Sequence, residues 1–137
     1  FEEIIFAELG KGSWIDNQRT KVSQTSKIES STISIGNLKS LALSEKWSNF
    51  GKIVSRIDRI RGYGDFYHYH LLATGKIDAV IESDVNILDV AALSIIISES
   101  GGVFTDLNGK KPHLNITSTL AANSILHSEI KSHLDGH

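Results

Sequence analysis

The chain has 137 residues, of which 40% are hydrophobic and 22% are charged, and its formal net charge is −2. This length and composition fit one globular domain with a real core. The near-neutral charge and the lack of a Lys/Arg block give no electrostatic basis for binding nucleic acid or an anionic membrane.

Cysteine is absent, which excludes disulfides, thiolate chemistry and cysteine-based zinc sites. No run of about 18 apolar residues is present, so no segment has the pattern of a membrane span. We therefore expect a cytoplasmic protein whose partners include neither nucleic acid nor a membrane.

The start of the chain has an unusual composition. Phe1 opens directly on Glu2, Glu3 and a strand-like run, without the pattern of a signal peptide. The chain also contains no Met. We therefore expect it to be a part of a longer protein.

The first part of the chain reads as short strands joined by turns. An apolar run at 4–7, a glycine turn at 10–12 and a return strand at 13–15 predict a hairpin. A turn at 16–18 leads to a short edge strand at 20–23, and a β-branched strand follows at 31–36.

Helical spacing dominates the next segment. Apolar residues recur at steps of three or four from Trp47 to Ile60, which predicts an amphipathic helix over 44–60 with Ser44 as its N-cap. Helices and strands then alternate. The remaining predicted elements are a helix from an Asp65 cap to Gly75, a strand at 77–82, a helix from an Asn86 cap to Gly101, a strand at 102–105, a turn at 106–109, a strand at 120–122 and a helix at 124–134.

The alternation of strands and helices from about residue 30 predicts a layered α/β domain. The opening hairpin favours a mixed sheet over a purely parallel one. No internal repeat or low-complexity segment interrupts this pattern.

The strongest functional signal is a group of carboxylates at the junction of a predicted strand and helix. Asp78, Glu82, Asp84 and Asp89 precede or open an otherwise apolar helix. Backbone N–H groups and the helix dipole favour negative charge at a helix start, so the simplest interpretation is that Asp89 only stabilises the helix. A phosphate and its metal ions would be favoured at the same place.

Three blocks of sequence, in order along the chain, match known motifs. F-A-E-L-G-K-G-S-W at 6–14 is similar to the hairpin motif A-x-x-G-x-G-a. R-G-Y-G-D at 61–65, followed by A-T-G-K-I-D-A at 73–79, resembles R-x-x-G-(S/D) and V-A-x-G-x-x-D-A. N-I-L-D-V-A-A at 86–92, with E-S-G-G at 99–102, resembles W-D-x-A-A and E-A-G-G. With these three blocks the chain resembles the inositol monophosphatase-like superfamily of magnesium-dependent phosphatases.

The resemblance implies that the fold corresponds to the C-terminal half of an αβαβα phosphatase sandwich, with 1–137 as a single C-terminal domain. The family's first metal motif, D-P-x-D-G-(T/S), and the Glu before it are missing from the chain, whose only proline is Pro112. Leu88 stands where the family usually has Trp. The Gly64–Asp65 pair favours the histidinol-phosphatase-like branch of the family.

The resemblance also implies roles for individual residues. Asp89 would be a Mg²⁺ ligand, Glu82 would contact hydroxyl or amine groups of the substrate, and Asp65 would lie at the substrate-facing rim. The catalytic residues would belong to the absent N-terminal half. As alternatives, Asp65 is only a helix cap, Asp78 only closes the turn after Gly75, and Asp84 is only a solvated loop acid.

The six histidines have no metal-ligand spacing. His68 and His70 are two positions apart and point to different sides of a helix. We expect the histidines to be surface or tail residues, with His68 or His70 as a contact at the rim of the site.

Two functional hypotheses follow. In the first, the full-length protein hydrolyses a small phosphate monoester of the inositol-phosphate or histidinol-phosphate type with Mg²⁺, and this chain supplies a part of the site. In the second, the chain is an inactive scaffold or a dimerisation or partner-binding domain. In either case an exposed apolar face predicts self-association or pairing with an N-terminal half.

Overall fold

The computed structural model describes residues 4–137, so Phe1, Glu2 and Glu3 of the predicted start lie outside the described residues. Eight strands and five α-helices make up the described chain. They are β1 (Ile5–Glu8), β2 (Gly12–Ile15), β3 (Gln18–Arg19), β4 (Thr32–Ile35), α1 (Lys39–Ala42), α2 (Trp47–Val54), β5 (Arg59–Arg61), α3 (Tyr67–Ala73), β6 (Ala79–Ser83), α4 (Ile87–Glu99), β7 (Gly102–Thr105), β8 (Ser118–Asn123) and α5 (Ser124–Leu134). A turn of 3₁₀-helix at Ile28–Ser30 precedes β4.

Strands β1, β2 and β3 form a separate antiparallel sheet. The turn between β2 and β3 contains Asp16 and Asn17, both with positive φ (48° and 65°), which is the geometry of a two-residue type I′ hairpin. This turn starts the third strand at Gln18, so the predicted edge strand at 20–23 is wrong. Both Thr20 and Val22 instead contact Ser100, the residue that follows α4. The hydroxyl groups of Thr20 and Ser100 are 2.7 Å apart, and the Val22 N–H donates to the Ser100 carbonyl at 2.9 Å.

The other five strands form one mixed sheet in the order β5-β4-β6-β8-β7. Strand β4 is parallel to β5 and to β6, whereas β8 is antiparallel to β6 and to β7. The predicted mixed α/β fold is confirmed. The mixing comes from β8, however, and not from the opening hairpin, which belongs to the other sheet.

Two apolar cores cover the two faces of this sheet, because alternate residues of a strand point to opposite sides. Val80 of β6 lies in the core beneath α3 and α4, together with Leu72 and Ile97. Its neighbour Ile81 lies in the core beneath α2 and α5, together with Leu126. All five residues of β6 are buried, so this strand is the centre of the fold.

The predicted helix over 44–60 is split. Helix α2 ends at Val54, and Ile60 pairs with Ile33 of β4 although its spacing continues the helical pattern. The backbone N–H groups of Asp58 and Arg59 both bond to the carbonyl of Ser31, which draws this segment into the sheet.

The predicted Ser44 N-cap is also wrong, because Lys46 occupies the N-cap position of α2. The Ser44 hydroxyl instead accepts the Lys46 N–H at 3.2 Å and donates to the Leu41 carbonyl at 2.7 Å. It therefore braces the link between α1 and α2.

Most predicted elements after residue 75 match the structure. Gly75 follows α3 with a φ of 77°, and the Lys76 N–H bonds to the Leu71 carbonyl in the motif that commonly ends helices. Asn86 caps α4 as predicted, and β7 and α5 have the predicted bounds. Among the described residues, no helix is long and apolar enough to cross a membrane.

Candidate functional site

A cavity of about 830 Å³ lies at the carboxyl ends of β5, β4 and β6. These three neighbouring strands are parallel, so the loops that follow them meet at one edge of the sheet. Ligands of open α/β sheets bind at such an edge. The loop after β5 leads into α3 and the loop after β6 leads into α4, and both line the cavity.

Four carboxylates line this cavity: Asp65, Glu82, Asp84 and Asp89. No Lys, Arg or His is among the described residues that line it, so the charge of the lining is wholly negative. The structure thus brings together three of the four acids that the sequence groups at the strand-to-helix junction, and it adds Asp65 from the loop before α3.

Asp78 is the acid of that group that does not line the cavity. Its buried carboxylate accepts hydrogen bonds from the Ser23 hydroxyl at 2.6 Å and from the Thr32 N–H at 2.8 Å. The predicted role in the turn after Gly75 is therefore wrong. Asp78 instead holds the start of β4 against the start of β6.

Glu82 is the most enclosed of the lining acids. It is buried, and its Oε1 atom accepts two hydrogen bonds, from the Tyr69 hydroxyl at 2.5 Å and from Nε2 of His68 at 2.8 Å. Burial and the neighbouring Glu82 carboxylate raise the pKa of Tyr69 far above the ordinary value for tyrosine. Tyr69 is therefore a hydrogen-bond donor to Glu82 at any physiological pH.

The predicted surface position of His68 is wrong. Its side chain is 0% exposed and lies between Ser34 and Glu82. Nδ1 is 2.9 Å from Oγ of Ser34, and Nε2 is 2.8 Å from Oε1 of Glu82. His127 is also buried, with Nε2 2.7 Å from the hydroxyl of Thr105. The rim contact expected of His68 or His70 is also wrong, because neither side chain lines the cavity, and His68 reaches it only through Glu82.

Asp84 is exposed, as expected for a loop acid, but its carboxylate has defined partners. It accepts the Ser40 N–H at 3.1 Å, the Ser83 hydroxyl at 2.8 Å and the Ser40 hydroxyl. The Ser40 hydroxyl and N–H are the main causes that lower the pKa of Asp84 below its ordinary value. With a φ of 62°, Asp84 closes a tight turn that ties the start of α1 to the end of β6.

Asp65 is exposed at the cavity and has a φ of 48°. Helix α3 begins at Tyr67, and Phe66 occupies its N-cap position without a side-chain bond. The alternative interpretation of Asp65 as a helix cap is therefore wrong. A left-handed backbone at a residue other than glycine is found frequently at functional sites.

Asp89 opens α4 within a capping box. Its Oδ2 atom accepts the Asn86 N–H at 3.0 Å, and its own N–H donates to Oδ1 of Asn86 at 3.2 Å. The helix-stabilising role that the simplest interpretation assigned to Asp89 is therefore present. The metal-ligand role remains a prediction, and the position of Asp89 at the cavity is compatible with it.

Carboxylate oxygens are the ligands that Mg²⁺ prefers, so the donor type of the cavity suits that ion. The number of donors does not make a complete site. Within residues 4–137, no group of three or more His, Asp or Glu side chains is arranged to hold a metal ion. The described residues alone would supply only a part of a magnesium site.

Sequence reasoning missed the three residues that surround Glu82. His68 and Tyr69 lie in α3 beside the buried Leu71 and Leu72, so a histidine on an apolar helix face was the available signal. Gly36 follows β4, and a Cβ at this position would lie 2.0 Å from Oε2 of Glu82. Nothing in the sequence around Gly36 indicates that close approach.

Comparison with known proteins identifies related sequences. The model of the inositol monophosphatase family matches residues 1–137. A histidinol-phosphatase of Mycobacterium tuberculosis is 35% identical over 136 residues, which are 95% of this chain and 52% of that protein. Inositol monophosphatase 1 of Mus musculus is 36% identical over 121 residues, which are 85% of this chain and 44% of that protein.

Solved structures show the same relationship. Inositol monophosphatase II from Staphylococcus aureus superimposes with a TM-score of 0.88 at 27% identity, covering 99% of this chain and 52% of that one. SaIMPase-II with bound inositol monophosphate superimposes with the same TM-score, and the match covers 99% of this chain and 54% of that one. The chain spans about half the length of the curated relatives that it matches. Its fold is therefore that of about half of an inositol monophosphatase.

Proposed function

Because the chain belongs to the inositol monophosphatase family, whose members are metal-dependent phosphomonoesterases, we propose that it is the C-terminal part of an enzyme that hydrolyses a small phosphate monoester with Mg²⁺. The observation that supports this proposal is the cavity at the carboxyl ends of the parallel strands, with its four carboxylates. The residues assigned here are Asp89 as a metal ligand, and Glu82 and Asp65 as contacts for the organic part of the substrate.

The charge of the cavity explains why such an enzyme would need a cation. Two like charges 4 Å apart repel each other by roughly 4 kcal/mol at an effective dielectric constant of 20. A phosphate with two negative charges would therefore be repelled from Asp89 and Asp84. Mg²⁺ would supply the missing positive charge, with the remaining ligands coming from outside the described residues.

The same charge favours an organic part with a positive group. Glu82 and Asp65 are acceptors for an ammonium or hydroxyl group, and a positive group gains more from them than a neutral one does. Phe66, which is 68% exposed beside Asp65, offers an aromatic face to a planar or cationic group. We therefore favour an amine-bearing phosphate of the histidinol-phosphate type over a neutral polyol phosphate.

Phosphate release by the full-length protein tests this function. Histidinol phosphate and inositol 1-phosphate are assayed separately, with Mg²⁺ and with EDTA. The expected result is Mg²⁺-dependent release with a higher kcat/KM for histidinol phosphate. A higher kcat/KM for inositol 1-phosphate would contradict the substrate preference, and no metal-dependent release from any monoester would contradict the enzyme function.

The chain alone is expected to have negligible activity, because Asp89 cannot hold Mg²⁺ without other ligands. This property also favours the second hypothesis, an inactive scaffold, since the described residues contain no group that could bind a metal ion on its own. An in-frame D-P-x-D-G-T motif upstream of Phe1 in the gene would contradict the scaffold hypothesis.

An N-terminal half of the same protein is the partner that we propose for the open surfaces of the chain. Within residues 4–137, β1 pairs with β2 only, so its other side is an edge of the small sheet. Leu88 on α4 is 91% exposed and Phe6 on β1 is 57% exposed. Sedimentation is expected to show self-association of the chain alone and a single complex with the N-terminal half. A stable monomer without that half would contradict the proposal.

A further inference from the structure

The two oxygens of the Glu82 carboxylate have different surroundings. Both hydrogen bonds that reach Glu82 end on Oε1, from His68 and from Tyr69. Among the described residues, none donates to Oε2. A Cβ added at Gly36 would lie 2.0 Å from Oε2, so only glycine leaves room for this oxygen. Glu82 and Gly36 both line the cavity, so Oε2 is the oxygen left for a ligand.

The Glu82 carboxylate assigns the tautomer of His68. A carboxylate oxygen only accepts, so Nε2 of His68, 2.8 Å from Oε1 of Glu82, donates to it. The Ser34 hydroxyl, 2.9 Å from Nδ1, is then the donor to that nitrogen, and its oxygen accepts the N–H of Tyr63 at 3.2 Å. Nδ1 is then an acceptor, and the ring hydrogen lies on Nε2. Nε2 faces Glu82, which completes a chain of donors from the strand β4 to the cavity.

We propose that His68, anchored at Nδ1 by the Ser34 hydroxyl, is a positioning residue that fixes Glu82 with Oε2 facing the ligand, in the space left by Gly36. This inference rests on the proposed role of Glu82 as a substrate contact. Burial makes the arrangement rigid: Ser34 and His68 are completely buried, and Tyr69 holds Oε1 from a second direction. A fixed carboxylate binds an ammonium group better than a mobile one, because less side-chain entropy is lost.

The first experiment measures the tautomer in this chain and needs no activity. Two-dimensional ¹⁵N NMR of the imidazole distinguishes a protonated Nε2 from a protonated Nδ1. The expected spectrum has His68 with the hydrogen on Nε2. S34A removes the hydroxyl that donates to Nδ1, so it is expected to keep the hydrogen on Nε2 and to shift the Nδ1 resonance toward that of a nitrogen without a hydrogen bond. A hydrogen on Nδ1 in the unchanged chain, or no response to S34A, would overturn the proposed positioning.

The second experiment measures selectivity in the full-length protein. The readout is the ratio of kcat/KM for histidinol phosphate to kcat/KM for p-nitrophenyl phosphate, which has no amine for Glu82. H68L removes the donor to Oε1 at similar volume and is expected to lower this ratio about tenfold, the effect of losing part of a charged hydrogen bond. H68Q places an amide N–H near the position of Nε2 and is expected to restore most of the ratio. Equal ratios in H68L and the unchanged enzyme would refute the proposal.

Gly36 provides a steric test with a matched control. In G36A the new methyl group would occupy the position of Oε2, so Glu82 must turn and the ratio is expected to fall at least as far as in H68L. Gly51 in α2 does not line the cavity, and its added Cβ would meet nothing within 4 Å. G51A is therefore expected to leave the ratio unchanged, and an equal loss in both variants would overturn the assignment of Oε2.

The NMR and kinetic measurements test the positioning role of His68 and the proposed function separately. If the full-length protein releases no phosphate from either substrate, the proposed function fails, and the NMR result still decides whether His68 positions Glu82. If turnover depends on Mg²⁺ but neither H68L nor G36A changes the ratio of the two kcat/KM values, the function stands and the positioning role fails.

Discussion

Asp89 has two roles assigned to it, one as a member of a capping box and one as a proposed metal ligand, and substitutions can separate them. In D89A the bond from the Asn86 N–H to Oδ2, 3.0 Å long, is lost. In N86A the reciprocal bond of 3.2 Å is lost. Each loss is expected to lower the free energy of unfolding by about 1 kcal/mol, the usual effect of losing a cap, or about 4 °C in Tm for a domain of this size.

The two bonds support each other, so D89A and N86A together are expected to cost about 0.5 kcal/mol less than the sum of the single losses. D89N keeps an acceptor for the Asn86 N–H and loses only the charge at the helix start, for which about 0.5 kcal/mol is expected. Urea denaturation of the chain in EDTA measures these differences, with S98A on the exposed side of α4 as the control. Fully additive losses would refute the reciprocal capping.

The same variants then test the metal role in the full-length protein. D89N preserves most of the cap but replaces a carboxylate that Mg²⁺ prefers with a neutral amide. Phosphate release is therefore expected to fall in D89N as far as in D89A, although D89N is the more stable. A D89N enzyme with ordinary activity would show that the cap is the whole function of Asp89.

Three further predictions concern stability. Gly51 lies within α2 with open space at its Cβ position, so G51A is expected to raise the free energy of unfolding by about 0.5–1 kcal/mol in urea denaturation. Gly102 has no such space, since its Cβ would lie 2.8 Å from Ile97, and G102A is expected to lower the free energy by about 1–3 kcal/mol in the same assay. The hydrogen bond that Glu99 accepts from the Gly12 N–H, at 2.7 Å, is the main cause that lowers the pKa of Glu99 in the folded chain. This bond therefore stabilises the fold fully above the unfolded pKa of about 4.3, and the stabilisation is lost as the pH falls through the lower folded pKa. The protection factor of the Gly12 amide, its intrinsic exchange rate divided by the observed rate at the same pH, is expected to fall in that acid range, because the bond to Glu99 is lost. E99Q is expected to remove this pH dependence, and an unchanged dependence in E99Q would contradict the reasoning.

Most of the fold could be predicted because local signals and tertiary structure agree. Asn86 has the residue type of an N-cap and is one, and Gly75 has the residue type of a helix end and occupies that place. The segment 55–60 shows where local signals fail. Its apolar spacing continues that of a helix, but the free edge of β4 offers backbone partners to Ile60 that the sequence does not reveal.

The site was less predictable than the fold. Asp65 and Asp89 each stand in a motif, and Glu82 could be grouped with them because it ends the predicted strand just before Asp89. The structure places all three at one cavity. The surroundings of Glu82 could not be predicted, since they depend on which residues of other elements meet it. Gly36 and His68 approach Glu82 only after β4 and α3 are placed beside β6.

The order of strands in the large sheet has a consequence for how the chain folds. The central pairs join residues far apart in the sequence, Ile33 opposite Ala79 and Ala79 opposite Ala122. Such pairs form slowly, because the entropy of closing a long loop is lost before the contacts are gained. The β1–β2 hairpin and the α-helices, whose contacts are local, can form earlier. We therefore expect the cavity, which needs β4, β5 and β6 side by side, to form after these local elements.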